Sequence, residues 1–303
     1  MKYSIIEDEL SGSYTMIPDE NINYYAISDI HGNLDAFKDA LSNIDRECDN
    51  TRLILLGDYI DGGKQSCEVL KYIRDLKNIY KDKIIVLMGN HEETFLEWLD
   101  DPEYMVSTFI SNIDTIMKFL SEMQLKTLNT TPNNNEEYIN MSKLCAKYIL
   151  SNHSSLICWT RNLPRYFETD SQIYVHAGID ERGCEKENRY WKNKTQDFYF
   201  TNKFPPTNGK FYKDIIAGHV STALLASDQA FNEIYYDGES HYYIDGNVLK
   251  TGKLPVLKYC KRTKSYTGFK NIKINNKFIW EEYEIEEHQN KEYFKSQKIK
   301  LKD

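Results

Sequence analysis

The chain has 303 residues and a net charge of −8, and 41% of its residues are hydrophobic, enough to bury one large core or two small ones. With 46 acidic against 38 basic residues, it has no broad basic footprint, so we expect no nucleic-acid partner. It has no run of about 18 apolar residues, and residues 1–9 turn acidic before an apolar signal segment could form. The 6 scattered cysteines include no Cys-x-x-Cys pair, which is typical of reduced thiols. These features predict a cytoplasmic chain with no membrane partner.

Five short apolar runs in the sequence each end in a polar cluster. They cover residues 24–27, 53–56, 84–88, 173–175 and 215–217. Short runs rich in Ile, Val and Leu predict buried strands. The amphipathic stretches 34–44 and 64–76 separate the first three runs and predict helices, and this order predicts a largely parallel sheet. Ligands bind beyond the carboxyl ends of such strands, so we expect all five polar clusters to lie at that edge.

Residues 93–165 have a mostly helical pattern with a polar break at 129–137, which predicts a helical cap on one side of the site. Residues 271–303 mix aromatic and charged side chains and predict a C-terminal extension on the surface. Since no internal repeat or linker is visible, we expect one domain over residues 1–303.

Three further runs follow the fifth polar cluster. They cover residues 233–237, 242–244 and 254–259, with a turn at Gly238 between the first two. The alternation and the turn predict strands of a second, more antiparallel sheet. The fold class is therefore α/β, with two packed sheets flanked by helices.

Six side chains with metal-binding atoms follow the apolar runs. They are Asp29, His31, Asp58, Asn90, His176 and His219. Carboxylate, amide and imidazole donors without a thiolate suit two divalent ions such as Mn²⁺, Fe²⁺ or Zn²⁺. A shared carboxylate can hold two ions roughly 3.5–4 Å apart, where they contact both the attacking and the leaving oxygen in phosphoryl transfer. The pattern indicates a dinuclear centre in which a metal-bridged hydroxide attacks phosphorus.

Five motifs, in chain order, carry a resemblance to a known family. They are Asp29-x-His31-Gly32, Gly57-Asp58-x-x-Asp61-x-Gly63, Gly89-Asn90-His91-Glu92, Val175-His176-Ala177-Gly178 and Ala217-Gly218-His219. Together they resemble the calcineurin-like metallophosphoesterases, and within them the bacterial phosphoprotein phosphatases, over roughly residues 24–257. The resemblance implies a hydrolase with a two-sheet β-sandwich between helical layers, in the order αββα. The single histidine of Gly218-His219-Val220-Ser221 points to the phosphatase branch, because many nuclease relatives have a second histidine there.

The resemblance also implies a role for each site residue. The first ion would be bound by Asp29 and His31, both ions by Asp58, and the second ion by Asn90, His176 and His219. His91, oriented by Asp61, would protonate the leaving alkoxide or contact the phosphate, which Asn90 would also contact. A carboxylate beside an imidazole raises the imidazole pKa and fixes its tautomer, which suits a general acid. The segment Ile244-Asp245-Gly246 resembles a late strand of the same branch.

The sequence departs from the phosphatase pattern at the cations that bind phosphate. The family usually has an arginine where this chain has Gly62, so that contact is weakened or comes from elsewhere. Relatives often have Trp-x-Arg after the fourth motif, where this chain has Trp191-Lys192-Asn193. We expect Arg189 and Lys192 to bind the phosphate, with a looser orientation because lysine lacks the planar fork of arginine.

The expected function is hydrolysis of a phosphomonoester with two divalent ions, for which manganese is preferred and iron or zinc is compatible. The preferred substrate is phosphoserine or phosphothreonine in a protein. One alternative is hydrolysis of a dinucleoside polyphosphate or a small phosphorylated metabolite. Another is a phosphate-binding regulatory module with weak or no turnover. His153, His241 and His288 lie outside the motifs and are expected to be structural or surface residues.

Overall fold

The computed structural model describes residues 5–8, 13–16, 21–128, 131–182, 190–274 and 277–300. The strands are β1 (Ile5–Asp8), β2 (Ser13–Met16), β3 (Asn23–Ile27), β4 (Thr51–Leu55), β5 (Ile84–Val86), β6 (Tyr166–Glu168), β7 (Gln172–Val175), β8 (Asp214–Ser221), β9 (Tyr235–Tyr236), β10 (His241–Asp245), β11 (Val256–Cys260), β12 (Ser265–Ile274) and β13 (Lys277–Glu284). The helices are α1 (Leu34–Leu41), α2 (Ser66–Tyr80), α3 (Asn90–Asp100), α4 (Val106–Ser111), α5 (Ile113–Met117), α6 (Glu122–Thr127), α7 (Asn135–Asn152), α8 (Ser154–Arg161), α9 (Trp191–Lys194), α10 (Asp197–Asn202), α11 (Thr222–Leu225), α12 (Val248–Thr251) and α13 (Glu292–Lys300).

The strands form two sheets. The seven-stranded sheet has the order β1-β2-β6-β7-β8-β10-β9, and the six-stranded sheet has the order β13-β12-β11-β3-β4-β5. Strands β3, β4 and β5 run parallel to one another, as do β7, β8 and β10. This architecture confirms the predicted α/β fold with two packed sheets and flanking helices.

The interpretation of the sequence is wrong about which strands share a sheet. Of the five runs that precede polar clusters, the first three lie in the six-stranded sheet and the last two in the seven-stranded sheet. Of the strands expected in a second sheet, β9 and β10 do join β8, but β11 pairs antiparallel with β3. Apolar patterning reports that a strand is buried but does not identify its neighbour, which explains the error.

The side chains of β3 and β4 alternate between two cores. Tyr24 and Ile54 belong to the core between the sheets, together with Tyr174 of β7. Ile27 and Leu55 belong to the core between the six-stranded sheet and the helices. Because both faces of these strands are buried, their sequences are continuous apolar runs rather than alternating ones. The two cores fix the ends of β3 and β4, where the polar clusters begin.

Helices α3 to α8 occupy most of the segment predicted to be helical. Trp98 of α3 is fully buried, stacks on Phe109 with 5.9 Å between ring centres, and donates from Nε1 to Ser142 Oγ at 2.9 Å. These residues join the core that also contains α1 and α2. Since Asn90 is the first residue of α3, this packing holds the start of the helix at the carboxyl end of β5.

The predicted C-terminal extension contains an antiparallel hairpin and a helix. The hairpin of β12 and β13 forms one edge of the six-stranded sheet. Tyr293 and Phe294 of α13 pack into the core on the outer face of the other sheet. Within the described ranges, no helix has both the length and the apolar character needed to cross a membrane.

Candidate metal centre

Five polar residues at the strand ends have left-handed backbone conformations. Asp29, His31, Asp58, Asp61 and His219 have φ angles of 55°, 45°, 56°, 71° and 63°. Such angles are uncommon for residues with a side chain and cost about 1–3 kcal/mol each. Backbone hydrogen bonds from Asp29 N to Gly57 O (3.1 Å) and from His31 N to Asp58 O (2.9 Å) stabilise the loops after β3 and β4 against each other. The two loops therefore position their side chains together.

Two of the predicted ligands, His31 and His176, are oriented by backbone carbonyls. His31 Nδ1 lies 3.0 Å from Ile60 O, and His176 Nδ1 lies 3.1 Å from Leu56 O. Because a carbonyl oxygen only accepts hydrogen bonds, each Nδ1 carries the proton. In the neutral imidazole, the Nε2 lone pair is then free to bind a metal ion, which is the usual arrangement for a histidine ligand.

Three imidazoles converge on the Asp58 carboxylate. Asp58 Oδ2 lies 3.3 Å from His176 Nε2, 3.9 Å from His31 Nε2 and 3.8 Å from His91 Nε2. Burial opposes the charge on Asp58, but the imidazoles outweigh this effect and hold the pKa of Asp58 below its usual range. An ionised carboxylate thus lies in the middle of the predicted ligands.

Asn90, His219 and Asp29 complete the cluster. Asn90 Oδ1 is 2.9 Å from His176 Nε2 and 2.9 Å from His219 Nδ1. The backbone N–H of His219 donates to Asp29 Oδ1 at 3.2 Å and to Asp29 Oδ2 at 3.1 Å. The structure therefore brings all six predicted metal ligands together, although they come from two different sheets.

The donor set fits two divalent cations. Among the described residues, one group of ligand atoms comes from His31, Asp58 and His91 and a second from Asp58, His176 and His219, and the atoms within each group lie within 4.8 Å of one another. Both groups share Asp58, as a bridging carboxylate would. Asp29 Oδ1 lies 4.0 Å from His31 Nε2, beside the first group. Oxygen and imidazole donors without a thiolate suit manganese, iron or zinc.

His91 and Asp61 form a close pair beside these ligands. His91 Nδ1 is 2.6 Å from Asp61 Oδ2, a charge-assisted hydrogen bond. The His91 side chain is 35% exposed and the Asp61 side chain 9%. Burial lowers the pKa of His91, but the hydrogen bond to Asp61 and the charge of Asp58 outweigh this and raise it to about 9. The accessible imidazole is therefore protonated near neutral pH and fixed in orientation.

Sequence reasoning gave no role to Glu92, which joins the loops after β4 and β5. Its Oε2 accepts hydrogen bonds from Asp58 N (2.9 Å) and Gly89 N (3.2 Å). Its Oε1 accepts from Tyr59 N (2.8 Å) and Ile60 N (3.1 Å). Burial and the charge of Asp58 raise the pKa of Glu92 to about 7. In the sequence, only its place next to His91 in the third motif set Glu92 apart from other glutamates.

Asp245, at the end of β10, adds another buried carboxylate. Its Oδ1 accepts a hydrogen bond from Asn247 N at 2.8 Å. Burial raises the pKa of Asp245 despite this hydrogen bond, and burial together with the charge of Asp245 raises the pKa of Asp29. The late strand segment noted in the sequence therefore places a further carboxyl group close to the candidate ligands.

Of the two predicted phosphate-binding cations, Lys192 lies within the described residues. Arg189 lies outside the described residues. Lys192 Nζ is 2.8 Å from Glu168 Oε2 and 5.6 Å from the centre of the Tyr166 ring. Glu168 is buried and is also bound by Lys213 at 2.7 Å. Lys192 thus neutralises a buried carboxylate of β6, and its contact with phosphate stays a prediction.

The three histidines outside the motifs have local partners. His153 and His288 each lie within hydrogen-bond distance of a backbone carbonyl, at 2.8 Å and 3.2 Å. His241 is buried between Asp237 and Glu181, with 3.0 Å to each carboxylate. These contacts agree with the structural roles expected from the sequence.

The family pattern of the calcineurin-like phosphoesterases, compared with this sequence, matches residues 22–259. The chain therefore belongs to the calcineurin-like phosphoesterase family, as the five motifs indicated. Members of this family hydrolyse phosphoester bonds and use divalent metal ions.

Curated relatives match shorter parts of the chain. A zinc-dependent endopolyphosphatase of Saccharomyces cerevisiae is 30% identical over 118 residues, which is 35% of this chain and 35% of that protein. A catalytic subunit of protein phosphatase 2A from Dictyostelium discoideum is 38% identical over 68 residues, 22% of this chain and 21% of that protein. The match thus spans about a third or less of the length of each of these relatives.

A solved structure is similar over more of the chain. It is a cold-active protein-tyrosine phosphatase from a psychrophilic Shewanella species, with a TM-score of 0.50 at 16% identity. The similarity covers 91% of this chain and 82% of that chain. At this level of identity, the likeness is one of fold.

The contacts of Glu92 predict a stability effect for Glu92→Gln. Each carboxylate oxygen of Glu92 accepts from two backbone N–H groups. Glutamine has an NH₂ group in place of one of these oxygens, so two of the N–H groups lose their acceptor. We expect the free energy of unfolding to fall by about 1–3 kcal/mol. Chemical denaturation measures this change, and Glu97→Gln, an exposed position on the same helix, is the matched control. Equal stability of Glu92→Gln and the unmodified chain would contradict the role of Glu92 in holding together the loops after β4 and β5.

Proposed function

We propose that the chain is a metal-dependent phosphomonoesterase that acts on phosphoserine or phosphothreonine in proteins. The observation that carries this proposal is the 2.6 Å pair of His91 and Asp61 beside the Asp58 carboxylate. It combines a proton donor that reaches solvent with a cluster that fits two divalent ions. An enzyme that releases an alkoxide from a phosphoester needs both.

The proposed ligands divide between the two ions. Asp29, His31 and Asp58 would hold one ion, and Asp58, Asn90, His176 and His219 the other. Bound ions supply an activated water and neutralise the charge on the phosphoryl oxygens. The residues themselves exclude bulk water, since Asp29, Asp58 and His176 are each no more than 2% exposed. We propose manganese as the metal, with iron and zinc as the other candidates that these donors allow.

The proposed catalytic work of the chain itself falls to His91. Asp61 accepts the Nδ1 proton of His91, so the second proton of the charged imidazole is on Nε2. Nε2 lies on the side of Asp58, 3.8 Å from its carboxylate, and we propose that this proton goes to the leaving alkoxide. Asn90 presents Oδ1 to His176 and His219, which leaves its Nδ2 to donate to a phosphoryl oxygen.

Two features support a phosphoprotein substrate. The fifth motif has one histidine, His219, with Ser221 at the position where many nuclease relatives have a second. The relative from Dictyostelium discoideum is named as a protein phosphatase. The relative named as an endopolyphosphatase supports the alternative, in which the substrate is a phosphoanhydride such as a polyphosphate or a dinucleoside polyphosphate.

The first test is phosphate release from p-nitrophenyl phosphate and from a phosphothreonine peptide, with the protein stripped of metal and then supplied with Mn²⁺. We expect activity only with the metal, and a loss of roughly 100-fold or more in Asp58→Asn, since one group holds both ions. Asp114→Asn changes an exposed carboxylate of α5 and should have no effect. Absence of metal-dependent release from both substrates would overturn the proposal.

The role of His91 predicts that the loss in His91→Asn depends on the leaving group. A threonine alkoxide needs a proton in the transition state, whereas nitrophenolate leaves more easily without one. We expect kcat to fall by about 10²–10⁴ on the phosphothreonine peptide and by less on p-nitrophenyl phosphate. His153→Asn, in the helical segment, serves as the control. Equal losses on the two substrates would indicate that His91 binds phosphate rather than donating a proton.

The pair with Asp61 predicts a change in the pH dependence. Asp61, together with the charge of Asp58, raises the pKa of His91 to about 9, so the protonated imidazole is present below that pH and is lost above it. In Asp61→Asn this support is removed, the pKa of His91 falls, and the alkaline limb of the kcat profile should move to lower pH. Profiles of the variant and the unmodified protein on the phosphothreonine peptide measure the shift. An unmoved limb would assign the titration to another group.

A further inference from the structure

A groove of about 420 Å³ lies directly beside the candidate centre. Its lining includes Gly32, which follows His31, and Gly62, which follows Asp61. Lys64 and Asp35 add opposite charges to its walls. None of the lining residues is a candidate metal ligand. Two of them, Gly32 and Gly62, directly follow the site residues His31 and Asp61 in the sequence.

The groove is fixed in position relative to the centre. A Cβ atom on Gly63 would collide with the carbonyl oxygen of His31, and a Cβ on Gly32 would lie 3.1 Å from the carbonyl carbon of Gly63. The backbones of the two loops are therefore in contact. Any group bound on this floor is held at a constant distance from His31 and Asp61.

Gly62 leaves this part of the surface without a side chain. It has a φ angle of +83°, and a Cβ there would lie 2.6 Å from Leu249 Cδ1. Leu249 is 53% exposed, so it covers the glycine while remaining accessible. An apolar side chain, rather than a charged one, therefore lies beside Gly62 in the wall of the groove.

Lys64 is the cation of this groove, and its charge is available. It is exposed, and among the described residues no carboxylate oxygen lies within 4 Å of its Nζ. By contrast, Arg165, Arg182 and Lys192 each have a carboxylate oxygen within 3.0 Å. A substrate anion would have to displace those partners but would meet no such competitor from the described residues at Lys64.

We infer that this groove binds a second anionic group of the substrate, next to the phosphoryl group that is transferred, with Lys64 as its cation. The inference rests on the proposed phosphatase function. The second anion has the chemistry of a carboxylate or a phosphate: an acidic residue beside the phosphorylated residue of a protein, or another phosphoryl group of a polyphosphate. Asp35, which also lines the groove, opposes the same anion and limits its affinity.

The test compares substrates that differ only in the second anion. One pair is a phosphothreonine peptide with acidic flanking residues and the same peptide with their amides; tripolyphosphate and p-nitrophenyl phosphate form the other. In the pair that the groove recognises, Lys64→Ala should raise KM for the substrate with the second anion by about two- to fivefold. This is the size of effect expected from the loss of one exposed ion pair. Lys64→Ala should leave p-nitrophenyl phosphate and the amide peptide unchanged. The pair that responds identifies the source of the anion.

Two further variants check the sign and the specificity of the effect. Asp35→Asn should lower KM for the same anion-bearing substrate, and Lys126→Ala, an exposed lysine of α6, should change nothing. Added salt should weaken the preference of the unmodified protein and not that of Lys64→Ala. The inference is overturned if Lys64→Ala affects all four substrates equally or none of them.

A binding measurement separates this inference from the proposed function. Labelled acidic and amide peptides and competing tripolyphosphate are titrated, with Mn²⁺ present, into His91→Asn and into His91→Asn with Lys64→Ala, and anisotropy reports binding while turnover is slow. A preference for the anion-bearing ligand that disappears with Lys64 supports the groove even if the unmodified protein releases no phosphate. Equal affinities in both variants overturn the groove even if the protein is an active phosphatase.

Discussion

The ionised carboxylate of Asp58 is the group on which the arrangement of the site depends. Three imidazoles from three different segments of the chain lie within 4 Å of its Oδ2, and its own backbone N–H donates to Glu92. A carboxylate that is 2% exposed stays charged only when donors or cations surround it. The residues around Asp58 must therefore be hydrogen-bond donors or cations, and they must also lie at the right distance.

The two-sheet fold brings these residues together because its loops can approach closely. Gly57, with φ of +117°, lies where a Cβ would be 2.6 Å from Gly89 Cα and 2.8 Å from His176 Nδ1. At Gly218, a Cβ would collide with the Asp29 carboxylate. A side chain at either position would separate the loops of the two sheets. The glycines of the motifs are thus as necessary to the geometry as the residues that carry the chemistry.

Much of the site could be predicted from the sequence because each candidate ligand directly follows a buried run. Asp29, Asp58 and His176 stand close to a strand end, and strand ends meet in a sheet of this kind. The contacts of Glu92 could not be predicted in this way, because they join backbone N–H groups more than 30 residues away in the chain. The ion pair of Lys192 with Glu168 has the same origin. Pairing of β11 with β3 likewise depends on the packed sandwich and not on local pattern.

The charges of the site connect metal binding with protonation. Burial raises the pKa of Asp29 and Asp245, and with the charge of Asp58 raises that of Glu92 to about 7. Divalent cations beside these carboxylates would favour their ionised forms, so binding of the ions would release protons and would become tighter as pH rises. The same acidity repels a phosphate dianion until the ions neutralise it. Under the proposed function, substrate affinity would therefore depend first on the metal ions and then on cations at the edge of the site, where the chain has Gly62 at the position of the usual arginine and the exposed Lys64 two residues later.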